Sequence, residues 1–196
     1  MLSRKMLAAA LVLAGGAGAL AAELVGVRGS DTRFTTAVES TAGGTPVKLV
    51  LTGVALRQKF LFNVYAIGSY VREGAGVRTA EELAAADCPK CLHLAMLRDV
   101  AGKDVAEAFF TSIRANYAEP AFQTELAALY DLLKEDAAHK GDHIWLTHVP
   151  GVGLHVDFAG KPFTIRNPAF SRAVWEIYLG RNNLGEPVKR GLVSRL

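Results

Sequence analysis

The sequence predicts an α+β fold: a large antiparallel sheet with a layer of helices packed on one face. Three observations predict it. Apolar residues alternate, or run as β-branched and aromatic stretches, between residues 47 and 97 and again between 144 and 158. Apolar residues recur at every fourth position between 105 and 133 and near 170–178. The resulting order, strands then helices then a hairpin then a helix, lacks the regular β-α alternation of a parallel doubly wound sheet.

The chain opens in three zones. Met1 to Met6 carries Arg4 and Lys5 and no acid, Leu7 to Leu20 is uncharged, and Ala19-Leu20-Ala21 gives the small-x-small pattern of a signal-peptidase site before Glu23. Residues 1–22 are expected to be a secretory signal peptide, so the mature protein is expected outside the cytoplasm, in the periplasm. The uncharged run falls short of the ~20 residues of a comfortable span, and no later stretch is long and apolar enough to cross a bilayer. Cleavage removes Arg4 and Lys5 and lowers the net charge from +3 to +1. A nearly neutral surface argues against a nucleic-acid protein, which shows a basic face. About 175 residues remain, enough for one domain with a sizeable core.

Residues 23–45 are polar and rich in Gly, Thr and Ser, and read as a loose arm or a short edge strand; the domain proper is expected over 46–196. Val47, Leu49 and Leu51 alternate with Lys48 and Thr52, and Phe60 to Ile67 is aromatic and β-branched, which describes two adjacent strands. Thr79 with Glu82 is a capping box for a short helix through Ala86, and Leu92 to Leu97 is a further strand. Val105, Phe109, Ile113 and Tyr117 share one helical face, as do Phe122, Leu126, Leu129 and Leu133, with Pro120 at the second helix's start. Pro150-Gly151-Val152-Gly153 is a turn signature; a turn of all four residues sets Val149 opposite Leu154, Thr147 opposite Val156 and Trp145 opposite Phe158, on the core face. Asn167-Pro168 caps a helix whose stripe of Phe170, Val174, Ile177 and Tyr178 ends at Gly180, and Pro187 opens a last short helix.

Few residues gather into recognisable chemistry. Cys88-Pro-Lys-Cys91 holds the only two cysteines, and in an exported chain a local disulfide must be considered. A thioredoxin-like pair needs the first Cys at the start of a helix, whereas this pair follows a helix and leads into a strand. The five histidines offer no set of three or four ligands: His148 and His155 would face each other across the hairpin, and the rest read as exposed or edge residues, so no metal is expected. No cofactor is expected either, since no Gly-rich phosphate loop leads into a helix. Arg57 stands out because it lies between two apolar stretches. It either points to solvent at a strand edge, which the residues alone favour, or enters a cavity to meet an anion such as a carboxylate.

Several blocks, taken together, resemble the chalcone isomerase-like family, in its bacterial, signal-bearing branch. They are Gly53-Val-Ala-Leu-Arg57-Gln-Lys59, Val64-Tyr-Ala-Ile-Gly-Ser-Tyr-Val71, Leu97-Arg98-Asp99-Val100, Lys140-Gly141-Asp142, the Pro150–Gly153 turn, and Phe170-x4-Trp175-Glu-Ile-Tyr-Leu-Gly180, in family order. The resemblance implies an open-faced sandwich with a cleft between sheet and helices. It also implies a site in which an Arg binds the substrate phenolate, a Thr and a helix Tyr polarise the ketone through water, and an Asn and a Ser or Thr hold the substrate. Carried over singly, the Arg matches Arg57, whereas the other positions fall on Tyr65, Val105, Ser112 and Ile177. Val105 and Ile177 cannot donate to a ketone oxygen that gains negative charge on ring closure, and such donors supply several kcal/mol of rate acceleration. A branch of the family binds fatty acids with an Arg and a Tyr on the carboxylate, and Arg57 with Tyr65 resembles that pair. The expectation is a non-catalytic protein that binds a small apolar carboxylate or acyl ligand. The alternatives are an isomerase of the intramolecular lyase type with an unidentified substrate, and an envelope protein-interaction module.

Overall fold

The computed structural model describes residues 23–196; the signal segment read at 1–22 lies outside the described residues. From the N-terminal end, β1 (Leu24–Gly26) and β2 (Arg33–Thr35) form a small hairpin, followed by β3 (Ala37–Ser40), β4 (Val47–Lys59) and β5 (Phe62–Arg72). Helix α1 (Ala80–Ala85) leads to β6 (Lys90–Met96). The short pair β7 (Val100–Ala101) and β8 (Ala137–Ala138) brackets α2 (Gly102–Arg114) and α3 (Gln123–Leu133). Strands β9 (His143–Val149), β10 (Gly153–Phe158) and β11 (Lys161–Ile165) precede α4 (Pro168–Leu179) and α5 (Glu186–Leu192). Seven strands form one antiparallel sheet in the order β11-β10-β9-β6-β5-β4-β3. The α+β class with helices on one face is thus as expected.

The two faces of the sheet are both covered. Ile67, Leu92, Leu94, Ile144, Leu146, Leu154 and Val156 point toward the helices and pack with Ile113, Leu129, Phe170, Val174 and Trp175. Leu49, Leu51, Ala66, Tyr70 and Cys91 face the other way and pack with Val27 and Phe34. Residues 23–45 are therefore not a loose arm. Such an apolar outer face needs a lid: the β1–β2 hairpin lays Phe34 on it, 2 % exposed, while β3 pairs with β4 as the edge strand.

The helix ends follow their expected chemistry with two changes. Asn167 Oδ1 accepts from the Ala169 and Phe170 amides, with Pro168 in the first turn of α4. Thr79 Oγ1 accepts from the Glu82 amide, but Glu82 reaches back to the Arg78 amide instead of Thr79's own, so the capping box is displaced by one residue. Helix α3 starts at Gln123, not at Pro120, because Phe122 takes a left-handed conformation that breaks the run.

The hairpin register also differs from the expected one. The loop has three residues, so Gly153 pairs with Val149, Leu154 with His148, Val156 with Leu146 and Phe158 with Ile144. A shift of one residue exchanges the faces of a strand. Ile144 and Leu146 thus point to the helices, and Trp145 turns to the outer face, where it stacks on His93 with ring centroids 3.5 Å apart. Gly153 is held at the pairing position by the backbone beside it: a Cβ there would lie 2.3 Å from the Ile165 carbonyl oxygen.

The Cys88–Cys91 disulfide is not formed. Both thiols are free and buried, Cys88 in the helix-side core and Cys91 in the outer-face core. The working residue of this segment is Lys90, fully buried, whose Nζ donates to the Leu83 and Ala84 carbonyls at the end of α1, at 2.9 and 2.7 Å. Burial brings its ammonium pKa down to about 8.

Acid should loosen the outer face. His93 sits between Trp145, Phe34 and His143, whose Nδ1 is 2.8 Å from His93 Nε2. Burial, with His143 beside it, brings the His93 pKa down to about 3. The unfolded chain therefore binds the proton first: stability is complete above the ordinary His pKa of ~6.5 and is lost as pH falls from there toward 3. His148, which burial also holds below the ordinary range, adds to the same slope. We expect about 3 kcal/mol lost between neutral pH and roughly pH 4, seen as a falling Tm, and a flatter profile in His93→Phe. An equal slope in the variant would clear His93 of this role.

Candidate functional site

A β-bulge decides which face Arg57 occupies. Along β4, Leu49 and Leu51 point to the outer face, and strict alternation would send Arg57 there too. The register shifts between Leu51 and Gly53, leaving Thr52 as the extra residue. Beyond it the parity is reversed: Ala55 pairs with Ile67 and Arg57 with Tyr65, all on the helix side. Thr52 Oγ1 donates to the Leu192 carbonyl at 2.8 Å, and Gly53 lies directly under α5, where no Cβ would fit. A second bulge, between Arg57 and Gln58, shifts the register again just past the arginine, and the ribbon continues with Gln58 opposite Asn63 and Lys59 opposite Phe62.

Between the helix side of the sheet and α2, α3 and α4 lies a cavity of about 840 Å³. This is within the ~300–1,000 Å³ usual for small-molecule sites. Its walls are apolar: Leu94, Met96, Ile144, Leu146, Val156 and Phe158 from the sheet, and Val105, Phe109, Leu129 and Ile177 from the helices. Arg57, Tyr65, Val105, Ser112 and Ile177, drawn from four elements, all line it. Its rim carries the exposed residues Lys59, Phe60, Phe62 and Arg98 on one side and Asp104 and Glu107 of α2 on the other.

Polar atoms are few inside. Arg57 is half-buried, and its Nη1 donates to the Gln58 and Leu184 carbonyls at 2.9 and 3.2 Å. Among the described residues no carboxylate forms an ion pair with it. Tyr65 Oη lies 3.5 Å from Tyr178 Oη. Burial raises both phenols above their ordinary pKa, against the opposing pull of Arg57's charge. Both hydroxyls therefore stay protonated and can donate. Ser112 Oγ is already engaged, donating to the Ala108 carbonyl at 2.8 Å. Val105 and Ile177 offer only hydrocarbon. The arrangement is an apolar chamber with one uncompensated cation in its wall, two more at its rim, and two phenol donors.

Tyr178 is the residue the sequence reading missed as a site member, having counted it as part of the α4 core stripe. Its signal was available: a Tyr in an otherwise apolar helical stripe must find a partner for its hydroxyl.

A second polar cluster has the composition of a catalytic triad but not its layout. His148 Nδ1 is 2.8 Å from Ser171 Oγ and Nε2 is 3.0 Å from Asp87 Oδ1. His148 is thus neither an exposed nor an edge residue, and His155, paired opposite Thr147, does not face it. Ser171 is 0 % exposed and lies outside the cavity lining, while Asp87 is at the surface. A nucleophile must reach substrate. This one is sealed in the core, so the string ties α4 to β9 and to the loop before β6. Among the described residues no group of three or more metal-ligating side chains forms, and no helix is long and apolar enough to cross a membrane.

The family model for chalcone isomerase-like proteins matches residues 31–194. No curated protein sequence gives a significant match. Among solved structures, a fatty-acid binding protein of Arabidopsis thaliana shares the fold with a TM-score of 0.68 at 19 % identity, covering 87 % of this chain and 96 % of its own.

Proposed function

The chain belongs to the chalcone isomerase-like family, and we propose that this member is a non-catalytic binding protein for a small apolar carboxylate or acyl ligand, held in the cavity with Arg57 as anion anchor. The observation that carries the reading is an arginine without a carboxylate partner at the wall of an apolar chamber. Half withdrawn from water and held only by two carbonyls, such a charge gains from meeting an anion. A carboxylate meets it by a charge-assisted pair, while its chain fills the hydrocarbon walls. Tyr65 and Tyr178 offer further donors to the same head group. One solved structure with the same fold is that of a fatty-acid binding protein, which supports this ligand class.

Cyclisation of a chalcone is disfavoured by the side chains at the family's site positions, of which Tyr65 alone keeps a donor for the ketone. Val105 and Ile177 are hydrocarbon, and Ser112 is spent on a carbonyl. We propose further that the protein is exported through its N-terminal signal segment and acts in the periplasm of a bacterium, where an acyl carrier is more at home than a flavonoid enzyme.

Two measurements test the reading. Native mass spectrometry of protein taken from its host compartment should show a bound carboxylate that is lost in Arg57→Ala; an empty protein that also fails to bind a fluorescent fatty acid would sink it. Val105→Trp, which places an indole in the chamber, should weaken that fatty acid at least about tenfold while lowering Tm by no more than a few degrees. Unchanged affinity would mean that the ligand sits elsewhere.

A further inference from the structure

We propose that the β4–β5 hairpin tip, Phe60-Leu61-Phe62, docks the mouth of the cavity onto an anionic lipid surface. These three consecutive side chains are 89 %, 93 % and 63 % exposed. They stand at the end of the longest ribbon of the sheet, with Phe60 in a left-handed conformation that forms the turn. Nothing in the fold requires them to be apolar, and a polar turn would serve the hairpin equally well.

The occupant follows from size and charge. Side chains of this kind bury at most ~150–250 Å² each, so the tip falls short of the roughly 800 Å² per partner of a standard protein complex. Insertion of a few apolar side chains into a headgroup layer needs no such area. Lys59 and Arg98 flank the tip, and the Arg98 guanidinium lies 5.5 Å from the Phe62 ring centre. Among the described residues neither cation has an ion-pair partner. The opposite lip, on α2, carries Asp104 and Glu107, and Asp99 next to Arg98 receives the Lys140 amide. With Asp99 set against Lys59 and Arg98 on one lip and Lys103 against Asp104 and Glu107 on the other, the two lips still differ in sign, and an anionic surface is met with the hairpin first. Phe60 and Phe62 also line the cavity rim, so the docked face is the one that opens.

The docking stands on the hairpin itself; its use in loading or delivering a ligand rests on the acyl-binding reading above. The two are separable in one experiment. Mature protein is sedimented with phosphatidylcholine vesicles, with and without phosphatidylglycerol, beside Leu61→Asp, whose side chain does not line the cavity. Binding to a soluble fluorescent fatty acid is measured in parallel. The proposal expects binding to anionic vesicles, weakened by salt, reduced at least about tenfold in Leu61→Asp, with the fatty-acid affinity unchanged. Vesicle binding through the tip without fatty-acid binding supports the docking and removes the acyl reading. Fatty-acid binding without vesicle binding overturns the docking and spares the cavity. Vesicle binding undiminished in Leu61→Asp, or a dimer that this change splits into monomers, also overturns it, the latter in favour of a second copy of the chain.

Discussion

Arg57→Met should weaken an acyl carboxylate by about 30-fold, the equivalent of roughly 2 kcal/mol for one charge-assisted pair. The loss is large because nothing nearby replaces the charge. Lys59 and Arg98 stand at the rim, and the remaining donors inside are the neutral phenols of Tyr65 and Tyr178. Fold stability should hardly change, since Arg57 contributes two hydrogen bonds to carbonyls and no ion pair. Arg57→Lys should recover part of the affinity, because an ammonium supplies charge without the planar fork. Displacement of a fluorescent fatty acid measures all three proteins, with thermal melts as the control. Affinity lost in step with Tm would assign Arg57 to the scaffold instead.

Gly53→Ala should cost more than about 3 kcal/mol of stability and weaken the ligand as well. The added Cβ would lie 2.1 Å from the Gly191 carbonyl oxygen and 2.7 Å from the Leu192 carbonyl carbon. Neither can give way as a flexible side chain would, because both are backbone of α5. Gly191 is equally constrained from its own side, with a Cβ 2.6 Å from the Val54 carbonyl oxygen. Relief requires α5 to lift from β4 or the bulge at Thr52 to shift. The first breaks the Thr52–Leu192 hydrogen bond and disturbs the neighbouring Leu184 carbonyl that Arg57 holds. The second threatens the parity that turns Arg57 toward the cavity. Chemical denaturation gives the stability change, and the same displacement assay gives the affinity. A variant as stable as the parent would mean that α5 packs more loosely than its contacts indicate.

That bulge also marks where sequence reading stopped. The sheet, its antiparallel character and the helix layer were legible because period-two and period-four patterns are strong over 47–71, 105–133 and 170–178. Which way Arg57 points was not, since Leu49, Leu51 and Arg57 share one parity in the sequence. The reversal depends on Thr52 bonding to a carbonyl 140 positions away, and no local pattern announces such a contact. The hairpin register failed for a related reason. Pro150 to Gly153 reads equally as a turn of three or four residues, and the choice is made by Gly153 fitting against the Ile165 carbonyl of β11. The Cys88–Cys91 spacing suggested a bond, but a strand starting between them sends the thiols to opposite faces of the sheet. Arg57 and Tyr65 were named as a pair from the family resemblance, and the fold brings them opposite each other across β4 and β5. Tyr178 joins them from a helix distant in sequence, which only the tertiary structure shows.

The central claim is an interaction between one guanidinium and one carboxylate, and a double-mutant cycle isolates it. Calorimetric affinities are needed for a fatty acid and its methyl ester, each with the parent protein and with Arg57→Met. The account predicts that the parent prefers the acid, that the variant loses most of this preference, and that the coupling energy is about 2 kcal/mol. A coupling indistinguishable from zero, with acid and ester bound alike by both proteins, would contradict it.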